Sequence, residues 1–446
     1  MQVLIDIGRK EREVMKFLKN EDNWSVVLGL FIVVVICTLY ILQIPITNLN
    51  VKIKPWSDVS ELFNLVSHSI LGLLSLAIGF GLLLFLGAKS AQPEIKLPPF
   101  LAKFILLFLM AAGILILSSN KTVKAWQLES PLVALFIGLL LGNFTSIADK
   151  LKEVLRTEYY VKIGIILMGA TLPFTTILKA GPAAIVQALI VSVVTFSTIY
   201  FVATKVFKLD NRFAATLGAG GSVCGVSASI AIGGACRAKH EHVAASISLV
   251  IVWAVIMIFA LPFACKLLDL PPAIAGAWIG TSEFADAAGF AAVEAIGNES
   301  ATQAFTLMKV VGRDMFVGLW AFLAAYLSVT VWERASTNER IDKSEIWRRF
   351  PKFIIGFFIA SIITTLFVLI APNAEAFNKQ ALGLIKDYRG WFFTLTFLSI
   401  GMTTRFKALA SVGIKPVLAF TAGVLVNLPL GYWLSNHVFA NYWINL

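Results

Sequence analysis

Eleven apolar runs of roughly 20 residues, the length needed to span a hydrocarbon layer, follow one another at 25–45, 67–87, 101–118, 131–148, 159–178, 182–204, 243–266, 303–330, 350–371, 391–404 and 415–437. Two more, 212–236 and 276–297, are interrupted by glycine and serine. The chain has 446 residues, 58% hydrophobic and 14% charged, against roughly 25% charged in soluble domains. These features predict an all-α polytopic membrane protein of about 11–13 transmembrane segments. No polar stretch much exceeds 331–350, and an independent domain needs about 50 residues, so no soluble domain is expected. The expected organisation is a leader over 1–23 and one transmembrane domain over 24–446. In the leader, Leu4, Ile7, Val14, Met15 and Leu18 lie at near-helical spacing among charges, as in an amphipathic surface helix or a charged leader. The first apolar run begins at Trp24 without a small-residue cleavage site and reads as a retained helix.

The net charge of +11 concerns topology more than nucleic acid, which is not expected as a partner. With the N-terminus inside and every segment crossing, inside loops hold well over half of the 37 Lys and Arg residues, as the positive-inside rule requires. That model is N-in and C-out. Re-entrance of both glycine-rich segments would leave the later parity unchanged. Cys37, Cys224, Cys236 and Cys265 lie in or at the ends of apolar runs, without the spacing of a disulfide framework or a metal site. Neither a metal nor a cofactor is expected. Cys224 reads as a small packing thiol or a substrate contact, and His240 and His242 as solvated loop residues.

Residues 163–182 echo 397–416. Both run from an apolar helix through Met-Gly or Gly-Met, a polar turn, Gly and Pro into a new helix. Seven segments separate the two, so they point in opposite directions, as in the inverted repeats of secondary transporters; 131–266 and 276–437 are approximate repeat halves. The two glycine-rich segments resist this scheme. One helix separates them, so if both cross they cross the same way.

A helix broken at membrane depth is tolerated only where its freed backbone groups are buried in protein or face a wet cavity. In the first segment, Asp210 or Asn211 can cap a half-helix over 212–219, and Gly220-Gly221 can end it. Ser222 can then cap a second half-helix from Val223. The amides of Val223, Cys224 and Gly225, with the hydroxyls of Ser222, Ser227 and Ser229, would suit a small anion. The alternative is that these small residues only let helices pack closely. In the second segment, at 100° per residue, Glu283 and Asp286 share a helix face, and Thr281 or Ser282 can cap a turn starting there. Acids inside a membrane are functional candidates by default, whereas Glu294 reads as solvated at a helix end.

Lys309 and Arg313 lie deep in the next apolar run, with Thr302 and Thr306 on the face of Lys309. Asp286, Glu283 and Asp314 are the expected counter-charges. The cations can bind an anionic substrate, an Asp–Lys pair can exchange a proton, or the group can be a structural ion-pair network. Enzyme motifs are missing from the sequence, so no enzymatic activity is expected. A channel is disfavoured because the charges form one deep constellation where a pore would show rings or stripes.

Ser-x-Cys-Gly-x-Ser-Ala (222–228), Gly-Thr-Ser with its acid (280–286), Lys-x-x-x-Arg (309–313) and Ile-Gly-Met-Thr-Thr (400–404) occur in an order that resembles the YeiH-like, UPF0324-type family of bacterial membrane proteins, labelled sulfate exporters. The resemblance covers about 65–440. It implies an elevator-type or rocking inner-membrane transporter with discontinuous helices, compatible with a homodimer, exporting sulfate or an organosulfonate. In that reading Gly221, Ser222, Val223, Cys224, Gly225, Ser227, Thr281, Ser282 and Arg313 contact the substrate. Asp286, Glu283 and Lys309 couple H+ or Na+. A Na+(K+)/H+ antiporter with Asp286 as cation ligand is the alternative. This chain departs from the family in its longer N-terminal part. It also has Glu283-Phe284-Ala285-Asp286 where many relatives have His-Asp or His-Glu, which leaves the proton-handling group open.

Overall fold

A computed structural model describes residues 21–46, 49, 51, 53, 55–125, 130–328, 352–405 and 413–446. The amphipathic stretch 3–18 and most of the echoed turn, 406–412, lie outside the described residues. In chain order the helices are α1 (Glu21–Ile41), α2 (Val59–Ala91), α3 (Leu97–Ser118), α4 (Ser130–Phe144), α5 (Thr157–Thr171), α6 (Phe174–Phe201), α7 (Asn211–Ser222), α8 (Val226–Ala235) and α9 (His240–Leu267). They continue as α10 (Pro272–Ser282), α11 (Asp286–Glu294), α12 (Glu299–Thr306), a π-helical segment (Leu307–Arg313), α13 (Val317–Leu327), α14 (Lys352–Ile370), α15 (Gly383–Thr403) and α16 (Ile414–Trp433), with short helical turns between. Among the described residues seven helices are long and apolar enough to cross a membrane: α1, α2, α3, α6 from Gly181, α9, α14 and α16 with its extension to Val438. The protein is an all-α polytopic membrane protein.

The chain folds as two compact units, Met1–Phe174 with Ile355–Thr403, and Thr175–Ile354 with Thr404–Leu446. In the first, α15 lies against α4 and α5. The contact with α4 is close because of glycine: a Cβ on Gly138 would stand 2.6 Å from the Leu398 carbonyl, and one on Gly142 2.5 Å from that of Met402. Phe108 stacks on Trp391 at 4.5 Å, and Phe80 packs against Phe392 and Tyr388. α5 and α15 run antiparallel, since Gly164 meets Phe393 while Arg389 Nη1 donates to Met168 Sδ, 3.1 Å. Arg389 is buried inside a helix because α15 begins at Gly383, ahead of the apolar run that starts at 391.

In the second unit α6 and α16 are also antiparallel. Gln187 donates to Ser435 at 2.7 Å, Asn427 donates to Thr195 at 3.0 Å, and Gly423 meets Ile199; each advance along one helix is a matching retreat along the other. Both echoed pairs thus have the opposed directions of an inverted repeat.

The glycine-rich segments do not cross. Arg212 Nη1 donates to the Arg237 carbonyl at 3.3 Å, Thr216 lies beside Gly233, and Gly220 beside Ser229. α7 and α8 are therefore the two arms of a re-entrant hairpin with its tip at Val223–Gly225. α9 starts at the base of this hairpin, where His242 stacks on Phe213 at 4.3 Å. It passes the tip at Val250, which packs against Gly225, and ends beyond it at Leu267. The second hairpin enters from that far end. α10 runs parallel to α12, with Gly276 against Ala301 and Gly280 against Met308 and Phe305. α11 returns along α12, with Phe290 against Phe305 at 4.7 Å. The chain turns at Gly297 (φ 70°), and Asn298 caps α12 by accepting from Ser300 N. α13 then continues past the tips along α8, with Val317 and Ala321 among the apolar neighbours of Ala228 and Ile232.

Two re-entrant hairpins from opposite ends resolve the conflict over crossing direction, since they point oppositely although one helix separates them. Re-entrance places Arg237 and Lys239 at the end that holds Lys205, Lys208 and Arg212, and Lys266 at the other.

Candidate functional site

Asp210 caps α7 as expected, accepting from Arg212 N at 3.0 Å and Phe213 N at 3.1 Å. The end of α7 is not where glycine suggested. The helix runs through Gly220 and Gly221 to Ser222. A Cβ on Gly220 would meet Ser229 Oγ at 2.6 Å and Val250 at 2.9 Å, and Gly221 faces Ile199 and Phe420. These two glycines are small because neighbours crowd them. The residue that breaks the chain is Gly225, at φ 67° and ψ −113°, which a side chain rarely adopts. It caps α8, so Ser222 is not the cap. The amide of Val223 is engaged with the Ala219 carbonyl, so it is not offered to an anion. Ser222 is fully buried, its carbonyl accepts from Ser192 Oγ at 2.8 Å, and its own hydroxyl has no hydrogen-bond partner. Cys224 packs in the apolar cluster of Val317 and Ala321, and Ser227 is half-buried in the first turn of α8.

In the second hairpin, α10 extends to Ser282. Thr281 donates to its own helix at the Trp278 carbonyl, 2.7 Å, and neither Thr281 nor Ser282 caps a turn. Glu283 ends α10 and Asp286 opens α11, so the two acids flank a break and do not share a helix face. Glu283 is fully buried; Oε1 accepts from the amides of Phe284 at 2.9 Å and Ala285 at 3.2 Å, while Oε2 has no hydrogen-bond partner. Asp286 puts a negative charge at the positive end of α11.

The two tips meet. A Cβ on Gly225 would stand 2.6 Å from the Phe284 carbonyl, so only a residue without a side chain permits this approach. α7, with twelve residues, and α10, with eleven, each reach about 16–18 Å at 1.5 Å per residue. That is half of a hydrocarbon core of roughly 30 Å.

Both expected cations arrive here, on the seven-residue π segment, a winding often found at functional sites. Lys309 is completely buried. Its Nζ donates to the carbonyls of Val223 (3.2 Å), Glu283 (3.0 Å) and Phe284 (3.2 Å) and lies 3.6 Å from Asp286 Oδ1. Arg313 Nη1 donates to the carbonyls of Gly280 (3.0 Å), Thr281 (2.8 Å) and Glu283 (3.0 Å). The cations were expected to pair chiefly with carboxylates, yet most of their contacts are to main-chain oxygens. The reason is that α7 and α10 end at the tips, where their last carbonyls have no helical partner and carry the negative ends of the dipoles. Arg313 Nε and Nη2 are buried with no hydrogen-bond partner.

Asn427, in the apolar run 415–437, was not singled out from the sequence. Its Nδ2 donates to Thr195 Oγ1 and to the Thr281 carbonyl at 3.2 Å, joining α6 and α16 to the second tip. A lone amide deep in an apolar run was the available signal.

The sequence profile of the family described as conserved hypothetical protein 698 matches residues 102–420. A UPF0324 membrane protein of Rhodopirellula baltica is 36% identical over 350 residues, covering 77% of this chain and 64% of the relative. One from Nitratidesulfovibrio vulgaris is 32% identical over 366 residues, 80% of this chain and 62% of the relative. The chain thus spans just under two thirds of the length of these two. A third, from Nitrosomonas europaea, is 28% identical over 471 aligned positions, 94% of this chain and 95% of its own. No solved structure matches. The matched region takes in both hairpins and the π segment, and the chain belongs to the conserved hypothetical protein 698 family, the UPF0324 membrane proteins.

Proposed function

We propose that this protein is a secondary active transporter of a small anion, with sulfate or an organosulfonate as the substrate class and H+ or Na+ as the coupling ion. The observation that carries this reading is Arg313. One of its nitrogens holds the carbonyl end of α10, while Nε and Nη2, a bidentate edge suited to a planar or tetrahedral oxyanion, are buried with no hydrogen-bond partner. The unpartnered Ser222 hydroxyl of the facing hairpin adds a donor. Opposed hairpins that meet at mid-depth are the kind of broken backbone that transporters use to hold substrate at the midplane.

The end at the base of the first hairpin carries Lys205, Lys208, Arg212, Arg237 and Lys239, with Lys415 at the start of α16. By the positive-inside rule this supports placing that end in the cytoplasm; a bacterial inner membrane, a cytoplasmic N-terminus and export as the direction are part of the proposal.

The test is flux of labelled sulfate and of a sulfonate in proteoliposomes. Arg313→Ala should lose transport at least about a hundredfold in protein that remains folded, and full activity in that variant would sink the proposal. The contact of Asp286 with Lys309 favours a second reading, a Na+(K+)/H+ antiporter. It requires Na+ or K+ to move protons with no permeant anion present.

A further inference from the structure

The hydrogen-bond and ion-pair partners of Lys309 Nζ are oxygens: the carbonyl of Val223 from the first hairpin, the carbonyls of Glu283 and Phe284 from the second, and Asp286 Oδ1. Unwound carbonyls and helix C-terminal ends are the donors with which discontinuous helices hold a coupling cation, and here the carboxylate of Asp286 joins them. Here an ammonium fills that set, and its three N–H bonds match the three carbonyls. We infer that Lys309 is a tethered cation occupying an otherwise sodium-type site, and that the coupling ion is therefore a proton carried on Lys309. The inference deepens the transporter reading and rests on it for the word coupling.

The chemistry follows from the geometry. The protonated ammonium bridges the two tips, because one of its carbonyls belongs to the first hairpin and two belong to the second. Loss of the proton leaves an amine with two N–H bonds and a lone pair facing carbonyl oxygens, and the bridge loosens. Taking up and releasing a proton on Lys309 thus does to the tips what binding and releasing sodium would do. The ionisable groups around Lys309 are Asp286, Glu283, Arg313, Asp314 and the Cys224 thiol. Asp286 compensates the ammonium directly, and Arg313 on the same π segment opposes a second positive charge. A sodium ion can enter only against both cations, so it is excluded while Lys309 is protonated.

The test is thermal unfolding of the detergent-purified full chain at pH 7, in sodium chloride against choline chloride at equal ionic strength. Wild type should show no sodium-specific shift. Lys309→Ala removes the tethered cation and should gain a sodium-specific rise in Tm of about 3 °C or more at saturating sodium. A comparable rise in wild type, or none in folded Lys309→Ala, overturns the inference. If Lys309→Ala does not yield folded protein, wild type is titrated with sodium from pH 7 to pH 10. A sodium response that emerges only on the alkaline side supports the inference, and one that is equal at all pH values or absent throughout overturns it. These readouts do not depend on any anion. A flux assay that finds no anion transport removes the transporter reading and leaves the site assignment standing.

Discussion

Glycine does different work in the two units. Where α4 meets α15, Gly138 and Gly142 stay helical and let carbonyls approach to 2.6 and 2.5 Å of where a Cβ would stand. In the first hairpin Gly220 and Gly221 also stay helical, making room for the side chains of Ser229, Val250, Ile199 and Phe420, and only Gly225 leaves the helical region, at φ 67°. The glycine richness of 217–235 is therefore mostly a packing signature, of the kind that membrane helices use to approach closely. A single position converts it into a tip. What separates the regions is the set of charges: Lys309 and Arg313 are there to receive the carbonyls that the breaks release.

The comparison breaks most visibly at the cations. Arg313→Ala leaves the carbonyls of Gly280, Thr281 and Glu283 without their donor, and each buried acceptor left unsatisfied costs about 1–3 kcal/mol. Chemical denaturation should show that loss, and a cost near zero would mean that the tips are held by packing alone. Gly225→Ala comes next. It combines backbone strain of about 1–3 kcal/mol for a side chain at positive φ with a clash on Phe284, and flux per folded molecule should fall at least tenfold. Gly138→Ala should lower stability by about 1–3 kcal/mol and leave flux per folded molecule within about twofold. If the two glycine variants act alike, the distinction between packing and break is wrong. Asn427→Ala should cost about 1–3 kcal/mol by leaving Thr195 and the Thr281 carbonyl unsatisfied. The smallest effect is expected of Asp210→Ala, about 1 kcal/mol for a lost helix cap, with transport unchanged.

The sequence already located the elements that meet at the tips. Asp210 was legible as a cap, and Glu283, Asp286, Lys309 and Arg313 were legible because an ionisable residue in an apolar run is costly unless it is compensated. The half-helix boundaries are not legible at Gly220-Gly221, because a glycine that is small for a neighbour's sake looks the same in the sequence as one needed for its φ. Ser222 was read as a cap for the same reason.

By itself, then, the sequence determined an all-α membrane fold, opposed echoed helices, and two interrupted segments with four charged residues nearby. It could not determine whether those segments cross or re-enter, because hydropathy is the same for one span and for two half-spans that fold back. That was decided by contacts such as Arg212 with Arg237 and Gly276 with Ala301. Nor could it specify the oxygen cage around Lys309. Three of its four oxygens are main-chain carbonyls, which every residue carries alike, and only the tertiary fold selects the ones that lose their helical partners and turn toward a cation.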